Sequence, residues 1–241
     1  MNVQQQFQNA CDNGNLEEAK TLLINNPTID VSANNEYAFR WACEKGHLRV
    51  AQWLLSIKPT INVSAYNEYA FQWACENGHL QVAQWLLSIK PTINVSAWNE
   101  YAFKLACING HLQVAQWLLE IKPTINVSAY NEHAFRWACR KGYLQVAQWL
   151  FSIKPTIDVS ADNEDAFRWG CSNGYLQVAQ WLCSLIPFKY CIETNNNKLV
   201  SWNVNNNKKE AVLSLLYCLT NKGYENKLNA ELLMNISVHL L

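Results

Sequence analysis

Proline recurs in this chain at Pro27, Pro59, Pro91, Pro123, Pro155 and Pro187, always 32 residues apart, and these six are all the prolines in 241 residues. Gly14, Gly46, Gly78, Gly110, Gly142 and Gly174 keep the same step, as do Cys11, Cys43, Cys75, Cys107, Cys139 and Cys171. A single wound sheet or an enzyme barrel has no reason to repeat its punctuation at one interval. A tandem array of short units must do so.

Cutting before each Asn-Glu pair gives units 35–66, 67–98, 99–130, 131–162 and 163–194, preceded by a partial unit that ends at residue 34. The first two full units differ at four of 32 places, Arg40/Gln72, Lys45/Asn77, Arg49/Gln81 and Tyr66/Trp98. Each unit reads as two short helices. Asn35 is placed to cap the first helix, with Glu36 in its first turn against the helix dipole. Phe39, Ala42 and Cys43 follow at i, i+3 and i+4 as one apolar face. Gly46 supplies the left-handed residue that helix C-termini favour. Leu48, Val50, Ala51, Trp53, Leu54 and Leu55 belong to the second helix, which Lys58-Pro59 ends. Thr60 to Ala65 reads as an extended connector. A unit this short cannot bury its apolar face alone, so neighbours must stack.

The ends depart from the frame as ends should. Where later units have Trp41, Val50, Trp53 and Ile57, the first has Asn9, Glu18, Thr21 and Asn25, a polar outer face expected of an N-terminal cap over 1–34. Beyond Pro187 the pattern decays while keeping phase, with Asn195, Leu199 and Ala211 lying 32 residues after Asn163, Phe167 and Ala179. Residues 195–241 read as a degenerate repeat and C-terminal cap, with helices expected near 208–220 and 226–240.

Charge and cysteine usage narrow the function. Lys plus Arg equals Asp plus Glu, 19 against 19, which is a poor footprint for nucleic acid. No apolar stretch reaches the ~20 residues that a membrane-spanning helix needs, and the N-terminus MNVQQQFQNA does not read as a signal peptide. A monomeric cytoplasmic protein is expected. The frame cysteines form no CxxC pair and read as small buried hydrophobes in a reducing compartment. His47, His79 and His111 repeat one turn position, where local hydrogen bonding accounts for them. HExxH, P-loop and GxSxG motifs are absent. Side chains copied along an array do not converge on one reacting atom, so neither catalysis nor a cofactor is expected.

The run Gly46-His47-Leu48-Arg49-Val50-Ala51-Gln52-Trp53-Leu54-Leu55 resembles the G-H-L-x-V-V-x-L-L-L signature of ankyrin repeats. Tyr37 to Cys43 sits where that family has T-P-L-H-x-A-A, and Val63-Ser64-Ala65 looks like its V-N-A. The resemblance covers roughly 3–194. It departs at the missing Thr-Pro and His, at two residues added around Ile57 to Thr60, and at about three removed between Ala65 and Phe71. The Phe-x-Trp-Ala-Cys and Val-Ala-x-Trp-Leu wording is similar to arrays encoded by giant viruses of amoebae, which implies a host cytoplasm. The resemblance implies an all-α solenoid of stacked helix-turn-helix units with short finger loops. It also implies a groove lined by finger tips and the exposed face of helix 1, through which a non-catalytic scaffold binds another protein.

Positions alike in every unit serve stacking, and those that vary are free for recognition. Trp53, Trp85, Trp117, Trp149 and Trp181, with Trp41, Trp73, Trp137 and Trp169, thereby go to packing. Four variable series remain. Finger tips run Asn34, Tyr66, Trp98, Tyr130, Asp162, and aromatic tips are common interface anchors. On helix 1 follow Tyr37, Tyr69, Tyr101, His133, Asp165, and the mostly basic Arg40, Gln72, Lys104, Arg136, Arg168, which would meet an acidic partner segment. The fourth, Glu44, Glu76, Ile108, Arg140, Ser172, places Ile108 beside Lys104, so unit 99–130 is where a partner is expected to press hardest. The candidate contacts are Tyr66, Trp98, Tyr130, Tyr69, Tyr101, His133, Arg40, Lys104, Arg136, Arg168 and Ile108. The rival reading is an adaptor that holds a target on the array and docks other machinery, such as a ubiquitin ligase, through residues 190–241.

Overall fold

A computed structural model of the protein describes residues 2–185, 191–192 and 199–200. The chain divides into two compact units, Met1–Asn126 and Val127–Leu241. The first holds four helical hairpins, α1 (Val3–Asp12) with α2 (Leu16–Asn25), α3 (Ala33–Glu44) with α4 (Leu48–Ile57), α5 (Ala65–Glu76) with α6 (Leu80–Ile89), and α7 (Ala97–Ile108) with α8 (Leu112–Ile121). The second holds α9 (Ala129–Arg140) with α10 (Leu144–Ile153) and α11 (Ala161–Ser172) with α12 (Leu176–Leu185). After α12, β1 (Cys191–Ile192) pairs antiparallel with β2 (Leu199–Val200), a two-residue ladder that the helical period did not announce. The division falls in the connector after α8, inside the sequence unit 99–130. The expected cap over 195–241, with its two helices, lies outside the described residues apart from 199–200.

Ten-residue helices are marginal in water by themselves, so packing must hold them. Within the first unit α1 packs on α3, α3 on α5 and α5 on α7; in the second α9 packs on α11. Phe39, Ala42, Cys43, Ala51 and Leu54 are wholly buried, and so are their counterparts one repeat on, apart from a trace of exposure at Phe71. Within each unit the tryptophan of a second helix reaches back to the phenylalanine of the preceding repeat. Ring centres are 6.2 Å apart for Phe7–Trp53, 6.1 Å for Phe39–Trp85 and 6.2 Å for Phe71–Trp117, and in the second unit 6.1 Å for Phe135–Trp181. Thr21 stands at this frame position in α2.

The hairpin turn ties repeats together a second time. Gly46 has φ of 79°, its N–H donates to the Cys43 carbonyl and the His47 N–H to the Ala42 carbonyl, the Schellman arrangement that satisfies the last carbonyls of α3. His47 Nε2 donates to the Asp12 carbonyl at 3.0 Å, one repeat away. His79 and His111 bond in the same way to the backbone of Glu44 and Glu76. Each ring also lies against the preceding turn glycine, so a Cβ on Gly78 would come within 3 Å of the His111 ring. The repeated histidine is therefore an inter-repeat strut, where sequence alone suggested a local bond.

Two expectations are corrected. Asn35 does not cap a right-handed helix. Asn34, Asn35 and Glu36 have φ of 56°, 56° and 63°, forming a left-handed turn at the start of α3, and Ser32 at the formal cap makes no side-chain cap bond. The connector is not extended either. The Ile61 N–H donates to the Lys58 carbonyl and the Ala65 N–H to the Asn62 carbonyl, while Asn62 Oδ1 accepts from the Ser64 N–H, giving successive tight turns.

Gly78→Ala is expected to destabilise the fold by about 1–2 kcal/mol, since it forces a Cβ into left-handed backbone against His111. Gly170 offers the opposite case. It lies in α11, where the other repeats carry Ala42, Ala74, Ala106 and Ala138, and an added Cβ would make ordinary contact with Val178 at 3.5 Å. Gly170→Ala should raise the denaturation midpoint by an amount equivalent to roughly 0.5–1 kcal/mol. Urea melts of both variants check the pair. A second test uses pH: burial lowers the pKa values of His79 and His111 below the ordinary 6.5, so near and below that pH the unfolded chain holds more protons than the fold. Their stabilisation is full above that pH and is lost as pH falls through the lower folded values. The melting temperature should fall from pH 7 to pH 5. That fall should shrink in a His79→Tyr/His111→Tyr protein, which takes the tyrosine that Tyr143 and Tyr175 already place at this frame position.

Candidate functional site

The fingers are built from a conformation that few residues accept. A left-handed residue other than glycine costs roughly 1–2 kcal/mol, and asparagine is penalised least. Here three run in succession, at Asn34-Asn35-Glu36, Tyr66-Asn67-Glu68, Trp98-Asn99-Glu100 and Tyr130-Asn131-Glu132, with Asp162 continuing the series. In the last three of these turns only the central asparagine suits that backbone.

Side chains from helix 1 hold the turn. Arg40 Nε donates to the Asn35 carbonyl at 2.7 Å and Nη2 to the Asn34 carbonyl at 3.1 Å. Gln72 Nε2 donates to the Asn67 carbonyl at 3.0 Å, and Arg136 Nε to the Asn131 carbonyl at 2.8 Å. These three residues are only 7%, 4% and 8% exposed. In the three turns of the first unit the closing acidic residue is also engaged: Ser64 donates to Glu68, Ser96 to Glu100 at 2.7 Å, and Glu36 accepts the Asn62 N–H at 3.2 Å from the next connector.

The turn then presents its tip. Tyr66, Trp98 and Tyr130 are 57%, 59% and 57% exposed. Tyr66 receives a hydrogen bond from Asn35 Nδ2 at 3.1 Å and lies over the Arg40 guanidinium at 4.5 Å, while Trp98 meets the edge of Tyr101 at 5.8 Å. Beneath the tips runs a stack of half-buried rings, Tyr37 on Trp41 at 4.4 Å, Trp41 on Tyr69 at 5.6 Å and Tyr69 on Trp73 at 5.3 Å. Tyr69 Oη donates to Glu44 at 2.7 Å, and burial together with that carboxylate raises the phenol's pKa. Burial and the charge of Glu76 raise Tyr101 in the same direction.

The second unit varies the theme. Arg136 Nη1 bonds Asp162 at 2.6 Å and Asp165 at 3.0 Å, His133 lies 5.8 Å from Trp137, and the Arg140 guanidinium sits 4.4 Å from the Trp137 ring and 4.0 Å from Trp169.

The eleven residues singled out from sequence thus divide. Tyr66, Trp98 and Tyr130 stand at the surface; Tyr69, Tyr101, His133, Lys104 and Arg168 are half-buried; Arg40, Arg136 and Ile108 are buried. Arg40 and Arg136 were expected to face an acidic partner, and they are instead turned onto finger carbonyls and, for Arg136, onto two aspartates. Ile108 is buried at the end of α7 and does not offer a free apolar contact. Trp41 and Trp73, set aside as packing, carry the ring stack, and so belong to the same face. Their 32-residue repetition hid them from a test that looked for variation. Arg140 was legible in the fourth variable series.

Five of the frame cysteines are poorly suited to nucleophilic chemistry. Cys11, Cys43, Cys75, Cys107 and Cys139 are buried free thiols, and burial pushes the Cys11 thiol up to about 12 and the other four up as well, away from the reactive thiolate. Among the described residues no group of three or more His, Cys, Asp or Glu side chains is placed to hold a metal ion, and no helix is long and apolar enough to cross a membrane.

The finger clamp makes a direct prediction. Arg40→Ala removes both donors and should lower stability by about 1–3 kcal/mol, since the hydrogen bonds are charge-assisted and part-buried. Arg40→Gln retains the single bond that Gln72 makes and should cost less than half as much, as read by thermal and urea melts.

Comparison with curated protein sequences yields no match. Among solved structures, the human ASB11 ankyrin repeat domain superposes with a TM-score of 0.55 over 74% of this chain and 82% of that one, at 18% identity, which bears on the fold alone. The family model for ankyrin repeats in three copies matches residues 7–97 and 93–163, more than half of the sequence. With hairpins, glycine turns and stacking helices in register with that match, the chain belongs to the ankyrin-repeat family.

Proposed function

We propose that this protein binds another protein through its finger tips and the exposed face of helix 1. Ankyrin repeats are protein–protein interaction scaffolds, typically without catalysis of their own. The observation that carries the reading is the placement of Tyr66, Trp98 and Tyr130 at φ of 57°, 53° and 56° with more than half of each residue exposed. A fold concerned only with its own stability gains by glycine or asparagine at such a site. Large rings there keep more than half of their surface exposed despite their contacts within the chain, and aromatic groups bring wide contact area at small entropic cost.

The half-buried Tyr69, Tyr101 and Lys104 belong to this candidate surface in the first unit, and His133 and Arg168 in the second. Arg40 and Arg136 contribute by fixing the turns. Equal numbers of acidic and basic residues favour a protein over a nucleic acid as partner. The adaptor reading depends on residues 190–241, which apart from two dipeptides lie outside the described residues.

Replacing Tyr66, Trp98 and Tyr130 together by alanine is expected to weaken capture of the partner at least a hundredfold, at two or more hot spots of about 2 kcal/mol each. Affinity capture from the source cell, read by mass spectrometry, measures it. Circular dichroism should stay helical, because the tips hold no core. Undiminished capture by the triple variant sinks the assignment of this face.

A further inference from the structure

The repeat 35–66, together with Tyr69 of the next repeat, forms an aromatic box that is already filled. The Arg40 guanidinium carbon lies 5.2 Å from the ring centre of Trp41, 4.5 Å from Tyr66 and 4.9 Å from Tyr69. Three rings around one cation make a strong cation–π arrangement, with the guanidinium held against π faces. Glu44, which accepts the Tyr69 hydroxyl, adds negative charge at the rim.

One repeat further on, the sequence supplies the same ring positions with a different residue at the centre. Trp73, Trp98 and Tyr101 occupy the frame positions of Trp41, Tyr66 and Tyr69, and Glu76 that of Glu44. The position of Arg40 is taken by Gln72, a shorter and neutral side chain whose amide nitrogen bonds the Asn67 carbonyl. The tip ring has changed from tyrosine to tryptophan, the better cation–π partner, and remains 59% exposed while it meets the edge of Tyr101. Glu76 acts on Tyr101 as a negative charge, raising its pKa along with burial. Of the four places where these two repeats differ, two lie in this box and act in one direction: the internal cation is withdrawn and the ring that receives a cation is strengthened.

We infer that Trp73, Trp98 and Tyr101, with Glu76 at their edge, form a receptacle for a cationic side chain, arginine or lysine, presented by a bound polypeptide. The inference rests on the finger and helix-1 face being the binding surface, and gives that surface a chemistry. The partner segment is basic at this point, the reverse of the acidic segment that the row of basic residues suggested from sequence, because Arg40 is engaged inside the fold. The filled box shows what the open one accepts.

The test is a titration of the full chain, followed by the indole N–H resonances of Trp73 and Trp98, with a blocked Gly-Arg-Gly tripeptide and its citrulline counterpart. Citrulline keeps the shape and removes the charge. Saturable shifts are expected with the arginine peptide and little change with citrulline. Gln72→Arg recreates the preceding repeat, so it should fold while filling the receptacle from within, and should weaken arginine binding by between about twofold and thirtyfold. Trp98→Ala, at an exposed tip, gives a second loss should Gln72→Arg alter the fold. Equal shifts with both peptides, shifts with neither, or unweakened binding by both variants overturns the inference. Failure of the wider reading looks different: there the triple tip variant captures the partner undiminished, whatever the tripeptides do.

Discussion

In four of the hairpins a phenylalanine that its own two short helices do not cover is met by a ring from the next repeat of the same unit. Phe7 under Trp53, Phe39 under Trp85 and Phe71 under Trp117 are one contact made three times, and Phe135 under Trp181 makes it in the second unit. Helices of ten to twelve residues gain stability chiefly from such burial. The histidine that spans from one turn to the backbone of the preceding helix fixes the spacing at which burial occurs. Indels cannot be tolerated within such a frame without moving ring and strut together, which is why the 32-residue period is kept without a break through six prolines.

On that scaffold the fingers introduce strain and then secure it. Three successive left-handed residues would not persist on asparagine alone. Arg40, Gln72 and Arg136 supply the missing hydrogen bonds to the turn carbonyls from a buried position on helix 1. The arrangement divides labour along each helix. Residues pointing to the finger hold it, and the ring at its tip is left for contact. It also changes the electrostatics of the face, since cations that look available in the sequence are withdrawn, while the aromatic rings and the carboxylates of Glu44 and Glu76 stay near the surface.

Much of this was legible without coordinates. Proline and glycine spacing gave the hairpin count over 3–185, and the apolar i, i+3, i+4 positions gave the buried face. What misled was the local meaning of two motifs. Asn-Glu before an apolar run is a sound N-terminal signal for a helix, and its failure here comes from the next helical turn, where Arg40 stabilises the alternative backbone. Gly-His-Leu reads as a turn, and only the neighbouring repeat reveals that the histidine bonds beyond its own hairpin.

The sequence by itself determined the repeat, its length, its two helices and the residues that stack, because periodic burial leaves a periodic trace in residue type. The tertiary structure decided the hand of the finger backbone, the inward turn of Arg40 and Arg136, and the joining of Trp41 and Trp73 to the surface of Tyr69. Those outcomes depend on side chains five residues apart and on rings four or 28 residues apart meeting in space. Residue type at one position carries no record of such meetings, since arginine serves equally as a solvated charge or as a clamp on a strained turn.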